Sequence, residues 1–368
     1  MIALPDFPWD SLVPFAERAR AHPDGMIDLS VGSPVDATPA LIREAAADAT
    51  DAHAYPLTAG TAALRSAIVA WFARRRGVEA LQPDAVLPTI GSKEFVAQLP
   101  LWLGLGSGDT VVHPLVAYPT YAIGAALTGS LVHAGDDPRE WPESTKLVWV
   151  NSPGNPDGRV LSVDELRGAV ERARELGAVI VSDECYAELG WSERWRGAAT
   201  PSILDPDVVG DDHTSVLAVY SLSKQSNLAG YRAGFVAGDP AVVDGLLGIR
   251  KHLGLIPPAP VQRAMIAALG DDGHVSAQRE LYRTRRARLE RAVVAAGFRI
   301  DGSEAGLYLW ATRGEDAAAS VSRLAELGIL TAPGSFYGDA GREHTRIALT
   351  ATDDDIARAA ERLDASSN

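Results

Sequence analysis

Lys224 closes the run Y-S-L-S-K, directly after an apolar stretch at residues 216–219. A lysine at a strand end is ordinarily a solvated loop residue. Here Ser221 and Ser223 precede it, and Arg232 follows in L-A-G-Y-R-A-G-F. Two hydroxyls, an arginine and nearby glycines suit an anchor for a phosphate dianion. A lysine beside such an anchor has two common uses: a point charge on a nucleotide phosphate, or a Schiff base with a phosphorylated aldehyde. The nucleotide use expects G-x-x-x-x-G-K-[ST], and the chain has none.

Other strand ends extend the second use. In A-V-I-V-S-D-E-C-Y an apolar run enters Asp183, which could simply cap the next turn. A pyridine cofactor, however, needs a carboxylate that keeps its ring nitrogen protonated, and Tyr186 lies where it could donate to the phenolic oxygen of the same ring. The run L-V-W-V-N-S-P-G-N-P-D-G is rich in ordinary turn formers, yet the Asn155 amide could reach that oxygen too. Asn155–Pro156 is a candidate cis bond. Gly91, Ser92 and Lys93, in P-T-I-G-S-K-E, open a helix after a strand, where free N–H groups bind phosphate. Tyr118 in A-Y-P-T-Y is a core-type aromatic that could equally cover a ring face. Arg346, in H-T-R-I-A-L-T, either points to solvent or holds a substrate carboxylate with its planar fork.

These residues need a scaffold, and the chain alternates in the required way. Short β-rich runs at 86–90, 110–112, 147–150, 178–181, 216–220 and 234–237 are separated by segments with helical spacing. After Leu161, Ser162 and Glu165 form a capping-box pattern; Leu166, Val170 and Ala173 make an apolar stripe, and Gly177 stops it. Strand–helix–strand order implies right-handed crossovers and a mostly parallel sheet, with ligands beyond the carboxyl ends of the strands. From about residue 270 the rhythm changes. A helix at 278–296, a strand at 306–311, a helix at 316–327, a strand at 346–350 and a helix from Asp353 read as a smaller α+β unit. Arg283, Arg285, Arg286, Arg288 and Arg291 spread around the first of these helices and read as a solvated face.

Composition narrows the class. The 368 residues are 46% hydrophobic and 22% charged, with a net charge of −14, which disfavours a nucleic-acid surface. One cysteine, Cys185, excludes an intrachain disulfide framework and a thiolate-rich metal site. The segment MIALPDFPWD lacks the pattern of a signal peptide, and no apolar run is long enough to span a membrane; a cytoplasmic protein without a metal is the expectation.

Taken together, the motifs resemble the class I/II pyridoxal-phosphate aminotransferases of aspartate-aminotransferase fold. The resemblance covers nearly the whole chain in the family's motif order. It implies a fold type I α/β architecture: a mostly parallel seven-stranded sheet flanked by helices, plus a smaller α+β domain. The implied division is an N-terminal arm at 1–35 joining the small domain, a large cofactor-binding domain at 36–265 and a small domain at 266–368. The implied cofactor is pyridoxal 5'-phosphate, held by Lys224, Asp183, Asn155, Tyr186, Ser221, Ser223 and Arg232, with Tyr118 and the Gly91–Ser92–Lys93 turn. V-G-S-P looks like the segment whose glycine, Gly32, lies against the substrate carboxylate beside Arg346 and Asn155. Y-P-L-T-A-G-T resembles the segment whose tyrosine, Tyr55, reaches the phosphate of a homodimer partner.

Within the family, S-L-S-K-Q-S-N-L-A-G-Y-R, G-L-Y-L-W-A and A-P-G-S-F-Y-G look like the N-succinyldiaminopimelate aminotransferases of high-GC Gram-positive bacteria. That likeness implies transfer from glutamate to N-succinyl-2-amino-6-ketopimelate, in diaminopimelate and lysine biosynthesis. Gly154 and Asp157 depart from the commoner N-P-x-N-P-T-G pattern. The alternatives are an aspartate, aromatic or LL-diaminopimelate aminotransferase, a carbon–sulfur β-lyase, and a non-catalytic regulator that binds the same cofactor.

Overall fold

The computed structural model describes residues 4–195 and 199–366; residues 1–3 of the expected arm and 367–368 of the expected C-terminal domain lie outside the described residues. Seven strands form the larger sheet: Val86–Ile90 (β1), Thr110–His113 (β2), Leu131–Ala134 (β3), Thr145–Asn151 (β4), Val179–Asp183 (β5), Val216–Ser221 (β6) and Ala233–Gly238 (β7). Their order is β1-β7-β6-β5-β4-β2-β3. Only β7 runs antiparallel to its neighbours. The expected mostly parallel seven-stranded sheet is therefore present.

Central β6 shows why its sequence is apolar throughout. Val216, Ala218 and Tyr220 enter the core on one face, and Leu217 and Val219 enter the core on the other. A strand covered on both faces has no polar side to alternate with. β1 carries Pro88 at the sheet edge, where a missing N–H costs no ladder bond. β3 was not among the expected strands: it is four residues at the opposite edge, three of them exposed, so it leaves no burial pattern.

Helix Val163–Glu175 forms as read. Ser162 and Glu165 close a capping box, worth about 1 kcal/mol, while Leu166, Ala169, Val170 and Ala173 are buried. The residues of Gly177 and beyond then lead into β5, placing Asp183 at its carboxyl end. In register, Asn151 of β4 lies beside Asp183, so two polar strand ends meet.

A second sheet is antiparallel: Arg299–Ile300 (β8), Tyr308–Thr312 (β9), Ala332–Pro333 (β10) and His344–Ala348 (β11), in the order β10-β11-β9-β8. β11 starts and ends two residues before the expected 346–350. Arg346 is thus mid-strand, between Trp310 of β9 and Ala332 of β10. Ile27–Asp28 pairs in parallel with Ile329–Leu330 as a separate two-stranded sheet, tying the N-terminal segment to the stretch just before β10. Residues 8–20, expected as part of an arm, are helical throughout, at Pro8–Leu12 and Val13–Arg20.

The long helix spans Gly273–Ala295 and starts before the expected residue 278, because Asp271 Oδ2 accepts from the His274 N–H 2.8 Å away and caps its first turn. The solvated-face reading holds for the exposed Arg283, Arg288 and Arg291 and fails for Arg285. Arg285 is buried: its guanidinium grips Asp36 at 2.6 and 2.7 Å and Asp353 at 2.7 Å. Spacing around a helix does not reveal carboxylates brought from elsewhere in the chain.

Candidate active site

A cavity of about 500 Å³ opens beyond the carboxyl ends of β4, β5 and β6. Asp183 and Ser221 arrive on those strand ends, and Asn155, Tyr186, Ser223 and Lys224 on the loops that follow. Ser92, Lys93 and Tyr118 line it from neighbouring segments, and Arg232 from just before β7. Gly32 and Arg346 come from the segment after Ile27–Asp28 and from β11. Gly91 stands behind this wall, and Tyr55 lies outside it, 98% exposed. Twelve of the fourteen residues picked from the sequence therefore share one cavity.

Asp183 is 6% exposed and forms no ion pair among the described residues. Oδ2 accepts from the Tyr121 hydroxyl at 3.0 Å, and Oδ1 accepts from the Cys185 N–H at 3.2 Å. Burial raises its pKa, and the hydrogen bonds from Cys185 and Tyr121 oppose that rise. The turn-capping use and the cofactor use are compatible, since one oxygen caps the turn. Around its backbone, Asn151 Nδ2 donates to the Asp183 carbonyl at 2.8 Å, and Asn151 Oδ1 accepts from the Asn155 N–H at 2.8 Å. Both Ser152–Pro153 and Asn155–Pro156 are cis.

Lys224 Nζ donates to the Gly32 carbonyl. Burial lowers the pKa of its amine; Arg346 and Arg232 add to the lowering, against Tyr308 and Cys185. A lysine so placed gives up its proton more readily than a solvated one. Arg346, 3% exposed, donates to Asn155 Oδ1 at 2.9 Å and to the Ser30 carbonyl at 2.6 Å. It does not point to solvent.

The phosphate-type corner is compact. The Ser221 hydroxyl donates to Ser223 Oγ at 2.8 Å and accepts from the Ser223 N–H at 3.2 Å. Arg232 donates to the Ala229 carbonyl at 2.9 Å. Gly91 has φ +72°, and a Cβ there would collide with the Arg232 guanidinium, so this position requires glycine. Among the described residues, Lys93, Lys224, Arg232 and Arg346 have no carboxylate partner, although 25 ion pairs occur elsewhere. In a chain of net charge −14, four unpaired cations around one cavity mark a place for anions.

Residue-by-residue reading missed several members. Tyr308 lines the cavity with its ring 3.9 Å from Arg346 Cζ, and its hydroxyl lies 3.2 Å from that of Tyr186. Burial raises the pKa of both phenols. Arg346 and Lys224 more than offset this for Tyr308, which falls below the ordinary phenol value, while Tyr186 rises well above it. Tyr121, Phe7 and Trp9 were also overlooked. Tyr121 closes the same A-Y-P-T-Y motif that contains Tyr118, and that motif was the available signal. Phe7 and Trp9 carried none, since only the tertiary fold brings the N-terminal segment to the cavity.

Residues 24–363 match the family described as aminotransferase class I and II. The chain belongs to that family. It is 56% identical to the 4-dedimethylamino-4-oxo-anhydrotetracycline transaminase OxyQ of Streptomyces rimosus, over 99% of this chain and 100% of that protein. It is also 56% identical to a probable aminotransferase of Mycobacterium tuberculosis, over 98% of this chain and 85% of that one. A solved structure of a probable N-succinyldiaminopimelate aminotransferase from Thermus thermophilus superposes with a TM-score of 0.87 at 28% identity, covering 98% of this chain and 100% of that chain. This aminotransferase thus uses pyridoxal 5'-phosphate and acts on amino acids and keto acids. The cavity fits that cofactor: a buried carboxylate without a cation, a lysine with a lowered pKa, and a hydroxyl-lined corner beside Arg232.

Proposed function

We propose that this aminotransferase moves an amino group from glutamate to a keto acid, with N-succinyl-2-amino-6-ketopimelate as acceptor and N-succinyl-LL-2,6-diaminopimelate as product. The observation that carries the reading is the set of unpaired cations at one cavity, which suits a phosphorylated cofactor and dicarboxylic substrates together. When bound, the cofactor supplies an aldehyde that links to amines and a pyridinium ring that draws electrons from the substrate α-carbon.

The chain's own groups then divide the work. Lys224 would hold the aldehyde carbon, and its amine, once freed, would serve as the base and then the acid that moves the α-carbon proton. Asp183 keeps the ring nitrogen protonated, and Tyr121 and Cys185 fix its direction. Tyr186 and Asn155 address the ring oxygen, while Tyr118 covers a ring face. Ser92, Ser221, Ser223 and Arg232 take the phosphate, with the Gly91–Lys93 turn beside them. Arg346 and the Gly32 backbone take the carboxylate at the reacting carbon.

The same reading divides the chain into an arm at 1–35, a large domain at 36–265 and a small domain at 266–368. It includes a cytoplasmic homodimer, in which the exposed Tyr55 serves the partner's phosphate site. A second reading, a cyclic ketone as acceptor, is favoured by the 56% identity to a transaminase named for an oxo-anhydrotetracycline. Half-reaction spectroscopy tests both. Glutamate should bleach the bound cofactor's absorbance, and the succinylated keto acid should restore it faster than other acceptors. Restoration only by a polycyclic ketone would select the second reading, and no response to glutamate would overturn the donor assignment.

A further inference from the structure

Tyr308 belongs to no role assigned so far, yet it touches three parts of the cavity. Its ring lies under the Arg346 guanidinium, 3.9 Å from Cζ. Its hydroxyl lies 3.2 Å from the Tyr186 hydroxyl, and the two rings meet edge to face. A Cβ on Gly32 would collide with that hydroxyl, so glycine at this position is what admits it. Tyr308 is 3% exposed, and no other side-chain partner of either phenol oxygen is present among the described residues.

The direction of the phenol pair follows from what Tyr186 must do. If Tyr186 donates its proton to the cofactor's ring oxygen, its own oxygen is free to accept, and Tyr308 becomes the donor. A hydroxyl that accepts one hydrogen bond donates a stronger one. Meanwhile the ring of Tyr308 is a flat apolar support that holds the guanidinium plane by cation–π attraction. We propose that Tyr308 is a positioning residue with two separable parts: its hydroxyl orients and strengthens Tyr186, and its ring orients Arg346 for the substrate carboxylate. The cofactor side and the carboxylate side of the cavity are then joined through one side chain. This rests on the site roles proposed above.

Two variants separate the parts in the holoenzyme. Tyr308→Phe keeps the ring and removes the hydroxyl; Tyr308→Leu removes both. A phenol that donates to the ring oxygen draws charge from it, and so weakens the hold on the proton at the Lys224 nitrogen. Tyr308→Phe should therefore raise the pH midpoint of the bound cofactor's absorbance change by roughly half a unit to one unit, as expected for one lost hydrogen bond. The shift should have the same sign as that of Tyr186→Phe and be smaller. Binding of glutarate, an unreactive dicarboxylate, should stay near wild type in Tyr308→Phe and weaken about fivefold or more in Tyr308→Leu. An unmoved midpoint in Tyr308→Phe, beside a shifted Tyr186→Phe, overturns the hydroxyl's part. Equal weakening of glutarate in both variants overturns the ring's part. An unmoved midpoint in Tyr186→Phe itself instead marks failure of the underlying assignment of Tyr186.

Discussion

Arg285 and Arg346 are equally buried, each 3% exposed, and their surroundings are opposite. Arg285 is closed by carboxylates, with Asp36 on both terminal nitrogens and Asp353 on Nε. Arg346 meets only the neutral oxygens of Asn155 and Ser30, rests on the Tyr308 ring, and leaves its Nε without a partner. Taking a cation out of water costs several kcal/mol, and an internal carboxylate is the usual compensation. Where a fold withholds that carboxylate, the compensating anion comes from outside. Burial alone does not separate a structural arginine from a functional one; the missing partner does.

The cavity side of this contrast should respond to mutation in turnover, and the Arg285 side in stability. Lys224→Ala should remove the covalent absorbance of the cofactor and lower turnover by about 10⁴-fold or more, with folding retained. Circular dichroism and absorbance check both halves. Asp183→Asn keeps an acceptor for Tyr121 but loses the negative charge, so turnover should fall by roughly 10²- to 10³-fold while cofactor remains bound.

Arg346→Ala should raise the KM for glutamate by roughly 10- to 100-fold, the scale of a lost charge-assisted pair, with little change in Tm. Arg285→Ala should do the reverse. It strands Asp36, and the loss of stability should be about 2 kcal/mol, below the full figure for a buried pair because Asp353 is largely exposed. Urea denaturation reads that loss, and KM should stay near wild type.

The smallest effects are in pH dependence, and they lie at opposite ends of the scale. Burial tends to raise the pKa of Asp36, but its bonds to Arg285 and Gln278 prevail and lower it. Its contribution to stability is therefore complete above its ordinary value of 3.8 and is lost as pH falls through the lowered one. In Arg285→Ala only Gln278 opposes burial, so that acid loss of stability should shrink or vanish, as read by urea midpoints across pH. For Lys224 the amine is neutral above its lowered pKa, so capture of added cofactor by apoenzyme should speed up with pH and level off below the ordinary 10.5. Levelling at or above that value would place Lys224 in a solvated setting.

Strand ends carried most of the legible information. Asp183, Ser221 and Lys224 follow apolar runs that read as buried strands, and parallel sheets put such ends together. Arg346 was legible as a residue type but not as a direction, because an alternating strand leaves its facing undecided until β9 and β10 flank it. Tyr308 and the Phe7–Trp9 pair were hidden for a different reason: each acts through partners far away in the chain. The same holds for Arg285, whose pairs with Asp36 and Asp353 cross 249 and 68 positions. Local spacing specifies elements well and long-range charge pairing poorly.

The claim that Arg346 is held unpaired for a substrate anion has one direct measurement: glutarate affinity of the holoenzyme, by titration calorimetry, in wild type, Arg346→Ala and Arg285→Ala. The account predicts a loss of roughly tenfold or more in Arg346→Ala alone. Wild-type affinity in Arg346→Ala, or an equal loss in Arg285→Ala, would contradict it.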